Sequence, residues 1–265
     1  MVALILALFV GISLGLIGSG GSILSVPILV YILHIEPVLA TTYSLFIVGS
    51  TAFLGGFQKV KQRLVDFDKV LLFGFPTVIA VFVMRYFLIP KIPNNIELSQ
   101  NVRLSKSVLI LTIFAIVMLF ASFKMITRQL PIADSNHERV TYFKIMLQGV
   151  VIGMIAGFVG AGGGFLIVPA LILLTKTPIK IAIGTSLFIV ALQSTVGFLA
   201  DYRLFSTLQW PLLLGFTFFS VVGLFIGNQL SKKINGEKLK TGFGYFVLLM
   251  AVYILIKEVF FLNIS

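Results

Sequence analysis

A glycine-rich block of residues occurs twice in this chain. Residues 15–27 read GLIGSGGSILSVP and residues 157–169 read GFVGAGGGFLIVP, with seven of the 13 positions identical. The pentapeptide SLFIV also occurs twice, at 44–48 and at 186–190, and both pairs are offset by 142 residues. Two matched blocks in the same order indicate a duplication. The fold must therefore accommodate two copies of one structural unit.

The solvent around most of this chain is predicted to be lipid. Of the 265 residues, 58% are hydrophobic and only 11% are charged. A soluble domain of this length cannot bury that much apolar surface, because much of its own surface stays in water. A full helical crossing of a membrane needs about 20 mostly apolar residues, so the apolar runs can be measured against that length.

Each copy contains a glycine-interrupted apolar segment followed by three longer spans. The first copy has arms at 2–17 and 23–33 and spans at 39–57, 70–89 and 107–125; the second has arms at 140–159 and 165–174 and spans at 179–200, 208–230 and 239–261. These runs define repeat 1 as residues 1–126, a polar linker as 127–139 and repeat 2 as 140–265.

The short arms and the basic residues together predict how the copies are oriented. The arm 23–33 has 11 residues, roughly 16 Å of helix, so it is half of a broken crossing or one arm of a re-entrant hairpin. If the interrupted segments cross, the repeats are parallel and the 20 Lys and Arg divide 10 against 10. If they are hairpins, repeat 2 is inverted and the division is 14 against 6. The positive-inside rule favours an all-α polytopic membrane protein of two inverted repeats, each a re-entrant hairpin plus three transmembrane helices.

The glycine blocks are candidate anion sites, because helix N-termini carry unpaired N–H groups and partial positive charge. Glycine also permits positive φ and lets an anion approach the backbone. The alternative is close helix packing, since Gly11/Gly15 and Gly153/Gly157 form GxxxG pairs. Duplication of the block favours the site interpretation, whose residues are Gly18, Gly20, Gly21, Ser22, Gly160, Gly162, Gly163 and Gly164.

Neutral polar side chains in the next span of each copy could complete such a site. Ser44 and Thr51 lie seven residues apart on one face, and Ser186 and Gln193 repeat that spacing. Hydroxyl and amide groups can donate hydrogen bonds to an oxyanion. Thr42, Thr185 and Ser194 are neighbours of these residues. The alternative is that these side chains bond to their own helix or join helices together.

The charged residues are expected to lie outside the membrane interior. All nine Asp and Glu fall in predicted loops or at span ends, so the spans hold no candidate for an intramembrane proton relay or cation site. The net charge of +11 comes from short loops, which suits topology signals rather than a nucleic-acid partner. Arg63, Arg85 and Arg203 could attract an anion at a cavity mouth, or could reach the interface as ordinary snorkelling side chains. With no Cys and two His, no metal site, disulfide or cofactor is expected.

The doubled motif G-x-x-G-x-G-G-x-x-L-x-V-P, a following proline at Pro37 and Pro178, and GTSL at 184–187 resemble the TauE/SafE family of sulfite exporters. The resemblance covers nearly the whole chain. It implies a multi-pass inner-membrane protein, not an enzyme, that exports a small anion such as sulfite or an organosulfonate like sulfoacetate. One departure is that repeat 1 has Thr42-Tyr43-Ser44 where repeat 2 has Gly-Thr-Ser, so the two halves of the pocket differ.

Two other functions stay open at this point. One is a passive anion channel, which would have a continuous pore. The other is a membrane-embedded enzyme acting on lipid phosphates, which would need clustered acids, His or a metal motif near one interface. The expected partners are the anion and membrane lipid, and the sequence leaves the oligomeric state open, a homo-oligomer included.

The charge count predicts that the loops around Lys61, Arg128 and Lys238 are all cytoplasmic. The chain has no Cys, so Lys61→Cys, Arg128→Cys and Lys238→Cys each introduce a single labelling site. We expect an impermeant maleimide to label them only after the cells are opened, whereas Lys91→Cys should react from outside. Labelling of positions 61 and 238 from opposite faces would contradict the inverted arrangement.

Overall fold

The protein is described here by a computed structural model, which describes residues 2–93, 95–99, 102–127, 142–175, 177–231 and 236–262. Most of these residues are helical. The predicted linker 127–139 lies outside them except for Thr127, which ends a helix.

Ten helical segments follow the predicted arms and spans closely. They are α1 (Val2–Ile17), α2 (residues 18–32), α3 (Pro37–Lys61), α4 (Phe67–Lys91), α5 (Lys106–Thr127), α6 (Tyr142–Val159), α7 (Gly164–Thr175), α8 (Ile179–Ala200), α9 (Trp210–Leu230) and α10 (Gly236–Leu262). A 3₁₀ turn, Tyr202–Thr207, joins α8 to α9. Two short strands, β1 (Asn95–Ser99) and β2 (Val102–Ser105), pair antiparallel between α4 and α5.

That β-hairpin occupies a connection that the apolar pattern left as a loop, whereas the spans are helical, as the expected all-α class requires. Two helices contain wider π turns. In α2, the 3₁₀ turn Gly18–Leu24 leads through Ser25–Pro27 into a π segment at Ile28–Ile32. In α4, the π segments are Val70–Gly74 and Met84–Leu88.

Acidic side chains mark the starts of two spans. Glu36 precedes Pro37 and accepts from the N–H of Val38 at 3.4 Å. Asp66 accepts from the N–H of Lys69 at 3.2 Å and pairs with its ammonium at 2.8 Å. Partial burial opposes ionisation of Asp66, but its bonds to Lys69 hold its pKa below the ordinary value. Both residues cap helix N-termini, where backbone N–H groups lack intrahelical partners.

Seven stretches of the described residues are long and apolar enough to cross a membrane. The helix α10 is another long one, with 27 residues. Large apolar side chains project from the outside of the helices, as expected where lipid is the solvent; they include Ile5, Phe9, Phe75, Phe123, Phe218 and Leu249. The chain is therefore a multi-pass membrane protein.

The chain turns back at each glycine block. Gly18 has φ +72° and Gly160 has φ +69°, a conformation that side-chain-bearing residues rarely adopt. After the first turn, the Ser13 hydroxyl donates to Val10 O at 2.7 Å and to Gly21 O at 3.2 Å. Residues 13 and 21 would be about 12 Å apart on one straight helix, so the chain bends sharply at Gly18 and the turn Gly18–Leu24 lies against the end of α1.

Corresponding helices of the two copies pack in corresponding ways. α1 packs on α9, and α6 packs on α4. α3 packs on α8, the equivalent helix of the second copy, and α5 packs on α10, which is likewise its equivalent. Gly197 of α8 lies against Leu45 of α3, whereas Phe188 lies against Gly56. The residue numbers rise along one helix as they fall along the other, so α3 and α8 are antiparallel.

Glycines allow α1 to touch the backbone of α9. Gly11 lies against Ser220, and Gly223 lies against Leu8 and Ile12. In the second copy, Gly153 of α6 lies against Thr77 of α4. The close-packing interpretation is thus correct for the GxxxG pairs. These pairs precede the glycine turns at residues 18–21 and 160–164, which we call the first and second tips. Two glycines of the blocks themselves, Gly21 and Gly164, also lie against backbone atoms, those of Ser13 and Ser19.

Adding a methyl group at Gly223 should destabilise the protein. An ideal Cβ there would meet Leu8 O, an inflexible backbone atom of α1. We expect Gly223→Ala to lower the free energy of unfolding in detergent by about 1–3 kcal/mol, as overpacking does. Gly215→Ala in the same helix is the matched control, because its nearest neighbour, a Leu4 side-chain atom, is 4.0 Å away. Equal stabilities of the two variants would show that the helices separate freely at this crossing.

Candidate anion site at the paired hairpin tips

The two glycine blocks contact each other inside the protein. The Ser19 hydroxyl donates to Gly164 O at 3.1 Å, across 145 residues of sequence. Gly164 in turn lies against the Ser19 backbone, where a Cβ would have no space. Ser19 is fully buried, and so is Ser22. The tips of the two copies therefore form one continuous buried surface.

The second tip is a buried loop that lies between α6 and α7. Gly160, Gly162 and Gly163 have φ between +59° and +69°, and α7 begins directly afterwards at Gly164. The first N–H groups of a helix have no intrahelical acceptor and carry partial positive charge. Successive glycines in this conformation turn such groups toward one another, which suits a bound anion.

Two side chains of α8, Gln193 and Ser194, contact this loop, and Ser22 lies in the first glycine block, whose Ser19 bonds to Gly164. The Gln193 amide nitrogen donates to Gly162 O, which leaves its Oε1 facing the same region. Gln193 Oε1, Ser194 Oγ and Ser22 Oγ are buried and have no hydrogen-bond partner among the described residues. Gly162 lies against Ser194 Oγ. Buried polar atoms are normally paired, so unpaired ones at both glycine blocks point to a ligand or water.

Several predicted site residues are already engaged elsewhere. Thr51 donates to Ile47 O at 2.6 Å and Ser186 donates to Ile183 O at 2.9 Å, so both bond to their own helices. Thr185 accepts from the N–H of Asp66 at 3.0 Å, at the far end of α8 from Gln193. These three contacts fit the structural alternative for polar residues in membrane helices.

The remaining predicted residues either lie in the first tip or contact residues next to a tip. Ser44 Oγ lies 2.5 Å from Ser25 Oγ, which also donates to Ser22 O at 2.7 Å, so Ser44 reaches the tip indirectly. Gly21 lies against the Ser13 backbone, and Gly20 against the Ile17 side chain. Gly18 lies against Ile183 of α8, and Thr42 donates to Asp201 at 2.8 Å.

A buried ion pair that the sequence did not predict lies beside the second tip. Arg85 Nη1 donates to Asp201 Oδ2 at 2.9 Å and to Thr41 Oγ1 at 3.0 Å. Arg85 is 1% exposed and Asp201 is 7% exposed. The Arg85 Nη2 atom lies against Gly160, at the position that a Cβ would take.

Two expectations from sequence are therefore corrected. Arg85 does not lie at the mouth of a cavity and does not extend to the membrane interface. Its guanidinium is enclosed by Thr41, Asp201 and Gly160 of the second tip. Buried carboxylates also exist: Asp201 follows the last residue of α8, and Glu258 near the end of α10 accepts from the Tyr31 hydroxyl at 2.8 Å. The available signal was Arg85 itself, which falls inside the predicted span 70–89.

The same position in the other copy is neutral. Gly153 lies against Thr77 as Gly11 lies against Ser220, an offset of 143 residues that aligns Arg85 with Asn228. Asn228 donates to Gln58 Oε1 at 2.9 Å. Its own Oδ1 is buried without a partner among the described residues. The buried charge pair of Arg85 and Asp201 thus has two amides, Asn228 and Gln58, at the equivalent place in the other copy.

A metal centre has no support in the described residues, which contain no group of three or more His, Cys, Asp or Glu placed to hold an ion. The site is instead an assembly of backbone N–H groups, hydroxyls, an amide and one guanidinium. All of these can donate to oxyanions.

Comparison with known proteins assigns this architecture to a family. The family model described as "Sulfite exporter TauE/SafE" matches residues 3–254. The chain belongs to the TauE/SafE family. This match spans both glycine blocks and all the helices that support them, so the resemblance seen in the motifs is confirmed.

Relatives of this TauE/SafE protein are named as transporters. A probable membrane transporter protein of Xylella fastidiosa (strain Temecula1) is 27% identical over 252 residues, covering 93% of this chain and 91% of the relative. The probable membrane transporter protein YunE of Bacillus subtilis is 27% identical over 261 residues, covering 91% and 90%. A probable membrane transporter protein of Haemophilus influenzae is 25% identical over 279 residues, covering 97% and 98%. No solved structure matches the chain significantly.

Proposed function

We propose that this protein is a secondary transporter that exports a small sulfur oxyanion, sulfite or an organosulfonate such as sulfoacetate, across the cell's inner membrane by alternating access. The observation that carries the proposal is the group of unpaired buried polar atoms at the paired tips, Ser22 Oγ, Ser194 Oγ and Gln193 Oε1. Two of them are hydroxyls that can donate to an anion beside the N-terminus of α7. The family's description as sulfite exporters supports the choice of substrate class.

The inverted arrangement of repeats 1–126 and 140–265, joined by the linker 127–139, belongs to this proposal. The antiparallel packing of the counterpart helices α3 and α8 supports it. So do three contacts near helix ends, Arg85 with Asp201, Asn228 with Gln58, and the N–H of Asp66 with Thr185. Parallel repeats would put the partners of each contact at opposite faces of the membrane. Hairpins plus six crossings leave all three contacts on shared faces.

Burial at the tips favours a transporter over a passive channel. Ser19, Ser22, Gln193 and Ser194 are fully buried, as expected for an occluded site rather than a continuous pore. Inverted repeats provide a route from this state to both faces, because the two halves can exchange conformations around a site at their interface. A lipid-phosphate enzyme is disfavoured because the described residues bring no acid and histidine cluster together.

The unpaired hydroxyls should contribute to transport but little to folding. Ser22→Ala and Ser194→Ala each remove a buried hydroxyl that makes no bond as a donor in the described structure. We expect sulfite flux in proteoliposomes to need about threefold to tenfold more substrate for half its maximal rate, the effect of one lost hydrogen bond. The free energy of unfolding should change by less than about 0.5 kcal/mol.

Ser25→Ala is the matched control, because Ser25 bonds to both Ser22 O and Ser44. It should lower the free energy of unfolding by about 1 kcal/mol. If both Ser22→Ala and Ser194→Ala transport sulfite and sulfoacetate with unchanged substrate dependence, the anion does not bind at these tips.

We further expect that the membrane potential alone can drive export. An inside-negative potential of 100 mV favours an outgoing monoanion by about 2.3 kcal/mol, which supports a concentration ratio of about 50. The acidic residues fall in predicted loops or at the ends of predicted spans, although Asp201 and Glu258 are buried candidates for proton coupling. The measurement is flux from vesicles at a clamped potential without a pH gradient, then with a pH gradient at zero potential. Accumulation driven only by the pH gradient, and lost in Asp201→Asn, would refute the expectation.

A further inference from the structure

One side of the Arg85 guanidinium has no partner. Its contacts with Asp201 and Thr41 both use Nη1. Nε and Nη2 are buried and unpaired within the described residues. These two nitrogens form the edge of the fork that binds planar or tetrahedral oxyanions through two parallel hydrogen bonds. An unpaired buried donor is costly, and two on one cation are a strong indication of a missing ligand.

We propose that Arg85 is the cation that binds the charged group of the transported anion, and that Asp201 is an internal carboxylate that competes with the anion for Arg85. This proposal rests on the proposed export of an oxyanion and names the residue that recognises its charge. Arg85 lies outside the set of neutral residues that the sequence suggested.

The tip loop is shaped around this guanidinium. Gly160 has φ +69°, and Arg85 Nη2 fills the place where its Cβ would be. Gly160 is two residues before Gly162, the residue held by Gln193. Arg85 Nη2 and the unpaired Ser194 hydroxyl therefore contact the same loop, at Gly160 and at Gly162. Arg85 itself lies in the π segment Met84–Leu88, and such widened turns often occur at functional sites.

Asp201 is placed so that it can release Arg85 without losing every partner. Its Oδ2 accepts from Arg85 Nη1 and also from the Thr42 hydroxyl at 2.8 Å. The pair uses one guanidinium nitrogen rather than two, so it is weaker than a bidentate pair. The neighbouring buried cation, Lys106, already donates to Ile89 O at 2.5 Å. An incoming anion must therefore compete with Asp201 for Arg85.

The two ends of the hairpin pair, marked by Arg85 and by Asn228, then differ in how they interact with the anion. The counterpart of Arg85 is Asn228, which bonds to Gln58 and adds no charge. Charge recognition is consequently confined to the end where α4 meets the second tip. A matched arginine at the other end would bind the anion twice and slow its release.

The experiment measures sodium sulfite and sodium sulfoacetate binding to the purified full chain in detergent by calorimetry, with flux in proteoliposomes beside it. The double variant Arg85→Gln/Asp201→Asn removes both charges together, which avoids an unpaired buried ion. We expect it to fold and to lose binding at concentrations that saturate the unmodified protein. Asp201→Asn should bind the same anion about tenfold more tightly, because its competitor is gone.

Asp201→Ser is the second variant if Asp201→Asn folds poorly, since it leaves space beside Arg85 for an anion. Sulfite should then raise its unfolding temperature more than that of the unmodified protein. Gln58→Ala, at the neutral end, is the matched control and should bind the anion unchanged. Loss of binding in Gln58→Ala equal to that in the double variant would show a general structural effect and overturn the proposal.

The outcomes also separate this proposal from the proposed function. If the unmodified protein transports either anion and the double variant transports and binds it equally well, Arg85 is not the receptor and only this proposal is wrong. If Asp201→Asn and Asp201→Ser fold but bind no more tightly, Asp201 is not a competitor. If the unmodified protein neither binds nor transports either anion, the proposed function and this proposal are both overturned.

Discussion

A chain cannot turn inside a membrane unless its backbone polar groups are enclosed by protein. This constraint governs the two turns at Gly18 and Gly160, which carry positive φ in the middle of apolar sequence. Each turn is covered by the other copy: Gly18 lies against Ile183 of α8, and Gly160 lies against Thr41 and Arg85. Neither copy could bury its own tip in this way. The duplication is therefore a requirement of the fold, since each half encloses the irregular backbone of the other.

The scaffold is duplicated more faithfully than the groups that it holds. Glycines place α1 on α9 and α6 on α4 through equivalent contacts. At the tips, however, Gln193 holds Gly162 in one copy, whereas its counterpart Thr51 bonds to its own helix. Close packing tolerates little change, because a single methyl group meets backbone atoms. Polar side chains that face the interior can differ between the two copies without disturbing this packing. The two halves of the site therefore carry different polar groups.

The sequence predicted the parts of the structure that depend on local composition. Apolar run lengths placed α1, α8 and most other spans within a few residues, and the glycine blocks indicated both turns. It missed β1 and β2, because a short connection between spans carries no hydropathy pattern. It also missed the pairing of Arg85 with Asp201, residues 116 apart. Their positions near span ends suggested exposure, whereas burial is decided by which helices pack around them. Likewise, spacing could not distinguish Gln193, which reaches the tip, from Ser186, which bonds to its own helix.

A buried arginine in a membrane protein creates an energetic difficulty that the proposed competition would resolve. Leaving a buried charge unpaired costs several kcal/mol, so an empty anion site built on Arg85 alone would be unstable. Asp201 offsets that cost while Nε and Nη2 keep no hydrogen-bond partner among the described residues. Binding an anion then exchanges one negative partner for another, so the net gain is smaller than the direct attraction. Moderate affinity of this kind suits a transporter, because an anion held by an uncontested buried arginine would be released too slowly to complete a cycle.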